Sequence, residues 1–334
     1  MNSGYSIHTR FKIFLTFFYI ILIFFSFLTN ISFSFPKKPQ GAYFHYMKGY
    51  ILEKQGQWKE AAEEFEAALE YDPSSIKIHF KIARLLIYEK KYQEALVRIG
   101  EILKMEPDNL IAEATSVGLY FLMDKEEEAK DAYEKLLKDI QVAIPESVEI
   151  HEYLTHFYYQ QGKYKEALVE YQKVFEESSD DPEVRFFYAF LLDEAGQRQK
   201  AIEEFKEVIK LDPNNAHALN SLAYIYALEG KNLEEAEEMV EKALSGDPDN
   251  PAYIDTLGWI YFKQGKYEAA LQKLIVAAEK IEDPEIYEHL GDVYFQLDKP
   301  KPALENWNKA LGLGVSSEEN LKGKINKIKQ DEDE

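Results

Sequence analysis

Cysteine is missing altogether: Cys is 0 in 334 residues. No disulfide, thiolate metal site, cysteine nucleophile or cysteine-linked lipid can therefore be built. Proline and glycine are scarce, at 12 and 16, which excludes a collagen-like chain or a low-complexity linker. Positive charge is in deficit, with Lys+Arg 39 against Asp+Glu 60 and a net charge of -21. Binding phosphates needs a basic footprint, so no nucleic acid is expected as a partner. Hydrophobic residues at 46% and charged residues at 30% exclude wholesale disorder. Length alone suggests about two domains. Aromatics are what the chain has in excess, with 23 Tyr and 21 Phe.

Residues 1–35 form a separate object. Arg10 and Lys12 are the only formally charged side chains before Lys37, and Ile13 to Leu28 is broken only by Thr16 and Ser26. As a helix that run is about 24 Å long, short of the roughly 30 Å hydrocarbon core. Continuation through Ile31 to Phe35 reaches a span length. A basic start, an apolar middle and the small Ser32 and Ser34 before Phe35 have the layout of a secretory signal. An uncleaved amino-terminal anchor is the alternative. Either way the charges favour a cytoplasmic start. The remainder is then expected to be periplasmic or secreted after cleavage, or anchored in the cytoplasmic membrane with residues 13–35 as its only membrane contact.

From Ala42 onward the chain repeats itself. Gly56-Gln-Trp-Lys-Glu-Ala61, Lys90-Lys-Tyr-Gln-Glu-Ala95, Gly162-Lys-Tyr-Lys-Glu-Ala167 and Gly265-Lys-Tyr-Glu-Ala-Ala270 are variants of one phrase, and Gly196-Gln-Arg-Gln-Lys-Ala201 is a weaker copy. Ala61 and Ala95 are 34 residues apart, as are Ala167 and Ala201. Pro73, Pro107, Pro213 and Pro248 close units. Two apolar stretches with helical spacing occupy each unit, and Asp212-Pro-Asn-Asn215 and Asp247-Pro-Asp-Asn250 supply turns and helix caps between units. One such pair cannot bury its apolar stripe alone, so pairs must stack.

The pattern resembles the tetratricopeptide repeat, W-x2-L-G-x2-Y, then A-x3-F, then P. Leu257-Gly258-Trp-Ile-Tyr261 with Ala270, and Leu290-Gly291-Asp-Val-Tyr294 with Ala303 and Trp307, carry it most clearly. The resemblance implies an all-α right-handed α-solenoid with a concave inner face. The expected organisation is a signal or anchor (1–35), a linker (36–41), eight repeats over 42–315 starting near 42, 76, 110, 148, 182, 216, 251 and 284, a capping helix (316–330) and an acidic tail (331–334). Asp124 stands where the third unit should have Gly, and that unit runs four residues long, predicting a longer second helix or a bulged loop. The sixth unit carries one extra residue near Lys231-Asn232.

No catalytic constellation emerges. His151 and His156 are five residues apart, about 140° around a helix, and cannot share a metal from one face. His45, His79 and His151 fall at one repeat position and read as half-buried structural imidazoles. Neighbouring carboxylates such as Glu63-Glu64 and Glu237-Glu238 read as solvated faces. The chain is expected to be no enzyme and to need no cofactor or metal.

In the family resembled, the second, fifth, ninth and twelfth residues of each first helix face the groove. That resemblance selects Tyr43, Tyr46 and Tyr50 with Glu53; Phe80 and Arg84 with Lys77; His156 and Tyr159; Phe186 and Phe190 with Asp193; Asn220 and Tyr224; Asp255, Trp259 and Phe262; and Asp292 and Phe295 with Glu285 and Glu288. Tyr50, Tyr224 and Trp259 are divided between groove lining and packing against the next unit. Rings give contact area at low entropy cost, and carboxylates with rings favour Lys- or Arg-bearing segments. The expected partner is a protein or peptide of basic character. The functional reading is a non-enzymatic scaffold or adaptor in cell-envelope assembly or export. The alternative is a structural spacer or assembly subunit acting through its convex acidic face, such as Glu234–Glu241, and its amino-terminal anchor.

Overall fold

The computed structural model describes residues 40–314 and 318–333. The expected signal or anchor, most of the linker, Ser316, Ser317 and Glu334 lie outside the described residues. Seventeen helices and no strand are found among those described. Fourteen form packed pairs: α1 Gln40–Lys54 with α2 Trp58–Tyr71, α3 Ile76–Tyr88 with α4 Tyr92–Met105, and α5 Leu110–Leu122 with α6 Glu126–Ala143; α7 Val148–Gln160 and α8 Tyr164–Ser178 come next in chain order. The series continues as α9 Pro182–Glu194 with α10 Arg198–Leu211, α11 Ala216–Glu229 with α12 Leu233–Gly246, α13 Pro251–Lys263 with α14 Tyr267–Lys280, and α15 Pro284–Gln296 with α16 Pro300–Leu313. The single α17 runs Glu318–Asp333. It continues past the predicted stop at 330, because Gln330-Asp-Glu-Asp333 contains no Pro or Gly to end a helix.

The helices divide into two compact units, one ending at Phe157 and the other beginning at Tyr158. In both, the same sequence positions make the pairs. The central alanines Ala61, Ala95, Ala129, Ala167, Ala201, Ala236, Ala270 and Ala303 are fully buried. A second small position lies on the first helix. A Cβ on Gly49 would meet Phe65 at 2.9 Å, and one on Gly291 would meet the Trp307 ring at 2.1 Å. A large side chain from the second helix thus packs straight onto first-helix backbone. On α2, Ala61, Phe65, Ala68 and Leu69 are buried, the one-sided stripe of an amphipathic helix. Fully burying a ring such as Phe65 contributes roughly 1.5–3 kcal/mol.

Turns and caps follow from local chemistry. The residue between paired helices is left-handed, as at Gly196 (φ 82), where Gln197 N–H donates to the Leu192 carbonyl at 2.7 Å. Lys90, Asp124 and Asp298 take the same conformation in other pairs. Between units, Asn109, Asn215 and Asn250 accept backbone N–H groups at the starts of α5, α11 and α13, and Asp181 and Asp283 do so for α9 and α15. The extra residues of the third pair lengthen α6 to 18 residues, and the extra residue of the sixth leaves Asn232 left-handed.

The amino-terminal unit has successive cores, one around Phe65, Leu69, Ile78 and Ile82 and the next around Ile99, Ile102, Ala112 and Leu119. Buried His79 bonds the Pro73 carbonyl at 2.9 Å, and buried His151 lies 3.4 Å from that of Pro145. These imidazoles tie a first helix to the turn before it. In the carboxy-terminal unit, Leu321, Ile325 and Ile328 of α17 are buried in the core that holds Leu274, Leu290 and Trp307, so α17 covers the last pair. No described helix is long and apolar enough to cross a membrane.

Candidate functional site

In the amino-terminal unit the first-helix positions sit among cations. Tyr43 is exposed and Tyr50 partly so. Tyr46 packs on Phe65 with ring centroids 5.7 Å apart, and the Lys77 ammonium lies 4.8 Å over its ring. Lys81 is 5.0 Å over Tyr50 and 2.8 Å from the carboxylate of buried Glu53, which Arg84 also contacts. Phe80 is half-buried against the second core. Beside this cluster is an open depression of about 510 Å³ lined by Glu53, Lys54, Trp58, Arg84, Leu85, Ile87 and Tyr88. His156 is exposed near the end of the unit.

In the carboxy-terminal unit the corresponding face begins with a ring cluster. Tyr159 lies 5.8 Å from Phe187 and 5.9 Å from Phe190, and Phe186 packs on Phe205 and His217. Asn220 is half-buried, and its Oδ1 is enclosed without a partner. The Tyr224 hydroxyl donates to the Glu285 carboxylate, joining α11 to α15. Burial, then the Glu285 charge, pushes the Tyr224 phenol up.

Asp255 and Trp259 lie beneath this face, only 6% and 7% exposed. His289 Nδ1 is 3.0 Å from Asp255 Oδ1, and both side chains are buried. Trp259 stacks on the His289 ring at 4.0 Å and 14°, and Phe262 stacks on Trp259 at 4.6 Å and 9°. Trp259 Nε1 has no acceptor. Burial alone would lower the His289 pKa; the Asp255 charge and hydrogen bond, with Glu285 and Asp292 adding, hold it above 6.5.

At the far end Lys324 of α17 reaches both Asp292 oxygens at 2.7 and 2.8 Å and Glu288 at 3.4 Å, with its ammonium 5.7 Å from the Trp307 ring. Trp307 Nε1 donates to Asp292 at 3.0 Å, and Phe295 is exposed. Glu194, at the end of α9, titrates above its ordinary range because of burial and the neighbouring Asp193 and Glu285 carboxylates, which Arg198 offsets in part. Among the described residues no group of three His, Asp or Glu is arranged to hold a metal ion.

Of the residues that the sequence reading selects, Asp255 and Trp259 meet through His289, Tyr224 reaches α15 through Glu285, and Asp292 and Phe295 lie against Trp307. That reading missed His289, Glu194 and Lys324. The spacing of His289 from Asp255, 34 residues, is the signal that could have found the buried pair.

Comparison with known proteins agrees with the repeats. The tetratricopeptide repeat models match residues 42–75, 158–225 and 194–260, and the model described as "Anaphase-promoting complex, cyclosome, subunit 3" matches 229–310. The human protein "DnaJ homolog subfamily C member 3" is 24% identical over 193 residues, which are 54% of this chain and 38% of that protein. The "TPR repeat-containing protein YpiA" of Bacillus subtilis (strain 168) is 23% identical over 163 residues, 49% of this chain and 38% of that protein. The matches thus span under two fifths of these relatives' own length. A thermophilic TPR protein from Thermus thermophilus is similar in structure at TM-score 0.47 and 21% identity, over 54% of this chain and 98% of that one. With the stacked helix pairs, the repeat models identify an all-α solenoid of tetratricopeptide repeats.

Proposed function

We propose that this protein is a non-enzymatic interaction scaffold whose carboxy-terminal unit holds a segment of a protein partner on the face formed by α9, α11, α13 and α15. One observation carries this reading. Phe190, Asn220, Tyr224, Glu285 and Phe295 present rings, an amide and carboxylates on successive first helices of that unit, while Asp255, His289 and Trp259 brace them from beneath. Rings with low rotamer entropy make efficient contacts, and a few such residues carry most of an interface's free energy. The excess of carboxylates favours a basic segment.

The test is capture by the tagged full chain. Replacing Phe190, Asn220 and Phe295 together by Ala should weaken partner retention about tenfold or more. Full retention by that variant, with loss on charge reversal of Glu234 and Glu238 on α12, would instead favour the spacer reading. As part of the same proposal, residues 1–35 export the chain or anchor it so that the repeats act outside the cytoplasmic membrane, in envelope assembly or export. The basic, apolar and small-residue order of that segment supports this. Amino-terminal sequencing of the mature protein distinguishes cleavage from retention, and recovery of the tagged protein with the cytoplasmic fraction would sink both.

A further inference from the structure

The two ends of the repeat array are finished differently. At the carboxyl end α17 buries Leu321, Ile325 and Ile328 in the last core and leaves Lys322, Asn326 and Lys327 exposed. A stacked array needs such a polar outer face on its terminal element. At the amino end α1 lacks one. Counted from the repeat starts, Phe44 corresponds to Ile78, Ile150 and Ile286, each 7% exposed or less, yet Phe44 is 61% exposed. Ile51 corresponds to Leu85, Phe157 and Val293, also 7% exposed or less, yet Ile51 is 52% exposed. Ile78 and Leu85 are buried in the core that holds Phe65 and Leu69 of the preceding pair. Phe44 and Ile51 are thus side chains of the inter-repeat kind, with no preceding repeat among the described residues.

The exposed rings of Tyr43 and Tyr50 flank them. These four residues form two pairs seven residues apart, so they share one helix face. The chain has a net charge of -21, yet α1 exposes no acid. Its one carboxylate, Glu53, is buried and held by Lys81 and Arg84. The exposed charges of α1 are Lys48, which pairs with Glu64, and Lys54, whose ammonium lies over the Tyr50 ring. Rings and aliphatic carbon bordered by ammonium groups, with no carboxylate to desolvate, are what a membrane surface accepts.

The preceding chain leads to such a surface. Gln40 is five residues beyond Phe35, a reach of about 18 Å at most, so a chain anchored by residues 13–35 holds α1 beside the bilayer. The anchor run itself is a poor cover for this face. As a helix, Ile13 to Leu28 would be apolar on every side, whereas a covering helix needs a polar side for water, as α17 has.

We propose that Tyr43, Phe44, Tyr50 and Ile51 of α1 rest on the lipid surface, with Lys48 and Lys54 at headgroup level, so that the amino-terminal unit is set against the membrane. The proposal rests on the anchored form of the reading above and adds a second membrane contact to residues 13–35.

The test uses the full-length chain reconstituted in phosphatidylcholine vesicles. Because Cys is 0, the single-cysteine variants Phe44→Cys, Ile51→Cys and, as a control in the same unit, Val142→Cys can each carry an environment-sensitive dye. All three side chains are exposed, so the fold should be retained, as an unchanged thermal melt would show. The dye at 44 and at 51 should shift to the blue and be quenched by a lipid bearing a nitroxide near its headgroup, and the dye at 142 should do neither. Equal responses at all three positions, or none at 44 and 51 in protein that floats with the vesicles, would overturn the docking and leave the anchor in place. A blue shift at 44 and 51 without lipid quenching would also overturn it, and would show the face to be covered by protein, either a second copy or residues 1–39. Failure of the protein to float with the vesicles would overturn the anchor and the docking together.

Discussion

The first helices of the two units carry similar residues in different electrical company. In the amino-terminal unit, Tyr46, Tyr50 and Glu53 are met by Lys77, Lys81 and Arg84 of the next repeat. In the carboxy-terminal unit, the Tyr224 hydroxyl donates to Glu285, for which no cation partner is found among the described residues, and Lys324 serves only the last pair. The buried histidines differ in the same sense. His79 is satisfied by a turn carbonyl, whereas His289 pairs with a carboxylate from the preceding repeat. A groove position therefore implies a binding chemistry only once its neighbours on the adjacent repeat are known. Where the chain supplies its own cation, as at Glu53 and Asp292, the carboxylate is already paired.

The largest effect that could break this contrast concerns the buried pair. Asp255→Ala should destabilise the protein by about 3 kcal/mol or more near pH 6, because it leaves a buried imidazolium without its counter-charge. The matching change His79→Ala should cost nearer 1 kcal/mol, the net worth of one hydrogen bond. Urea unfolding of the two variants provides the comparison, and equal costs would remove the distinction. The pair also sets a pH dependence. The folded-state pKa of His289 is raised above 6.5, so the native state holds this proton more tightly than the unfolded chain does. The stability from the pair is fully present below pH 6.5 and is lost as pH rises through the folded value. Asp255→Asn should flatten that part of the stability-versus-pH profile, and an unchanged profile would contradict the assignment.

Packing sharpens the comparison at the next level. Gly291→Ala would drive a Cβ into the rigid Trp307 ring, whereas Gly49→Ala would meet Phe65 at a longer distance. Overpacking of this kind typically costs about 1–3 kcal/mol. The loss in melting temperature should be larger for Gly291→Ala, and the reverse order would show that the last pair yields more readily than the first. The smallest effects belong to the chain's own cations. Lys324→Ala and Lys81→Ala should each cost about 1 kcal/mol or less, since both ammonium groups are partly solvated. Lys324→Ala should in addition free Asp292 and Glu288 and increase binding of an arginine peptide to the full chain, readable by anisotropy.

The all-α architecture was legible in the sequence because its physics is local and periodic. The central alanines recur at spacings of 33 to 38 residues, most often 34, and each is fully buried between helices. The Asn and Asp residues before the first helices could likewise be read as caps. The face itself was legible only in part. Repeat position selected Tyr224, Asp255 and Trp259 alike, yet it did not separate the half-buried Tyr224 from the buried indole of Trp259, because that depends on how the next repeat stacks. It also did not reveal His289, whose partner lies 34 residues away, or Lys324, which returns from α17 across 32 residues to Asp292. These contacts are set by packing between repeats, and no spacing within one repeat encodes them.

The most direct test of the central claim is site-specific photocrosslinking in the full-length protein. A photoreactive phenylalanine analogue would be placed singly at Phe190 and Phe295 on first helices, and at the exposed Val169 and Val276 on second helices. The account predicts that one partner is captured from positions 190 and 295 and from neither 169 nor 276. Capture from 169 or 276, with none from 190 or 295, would contradict it.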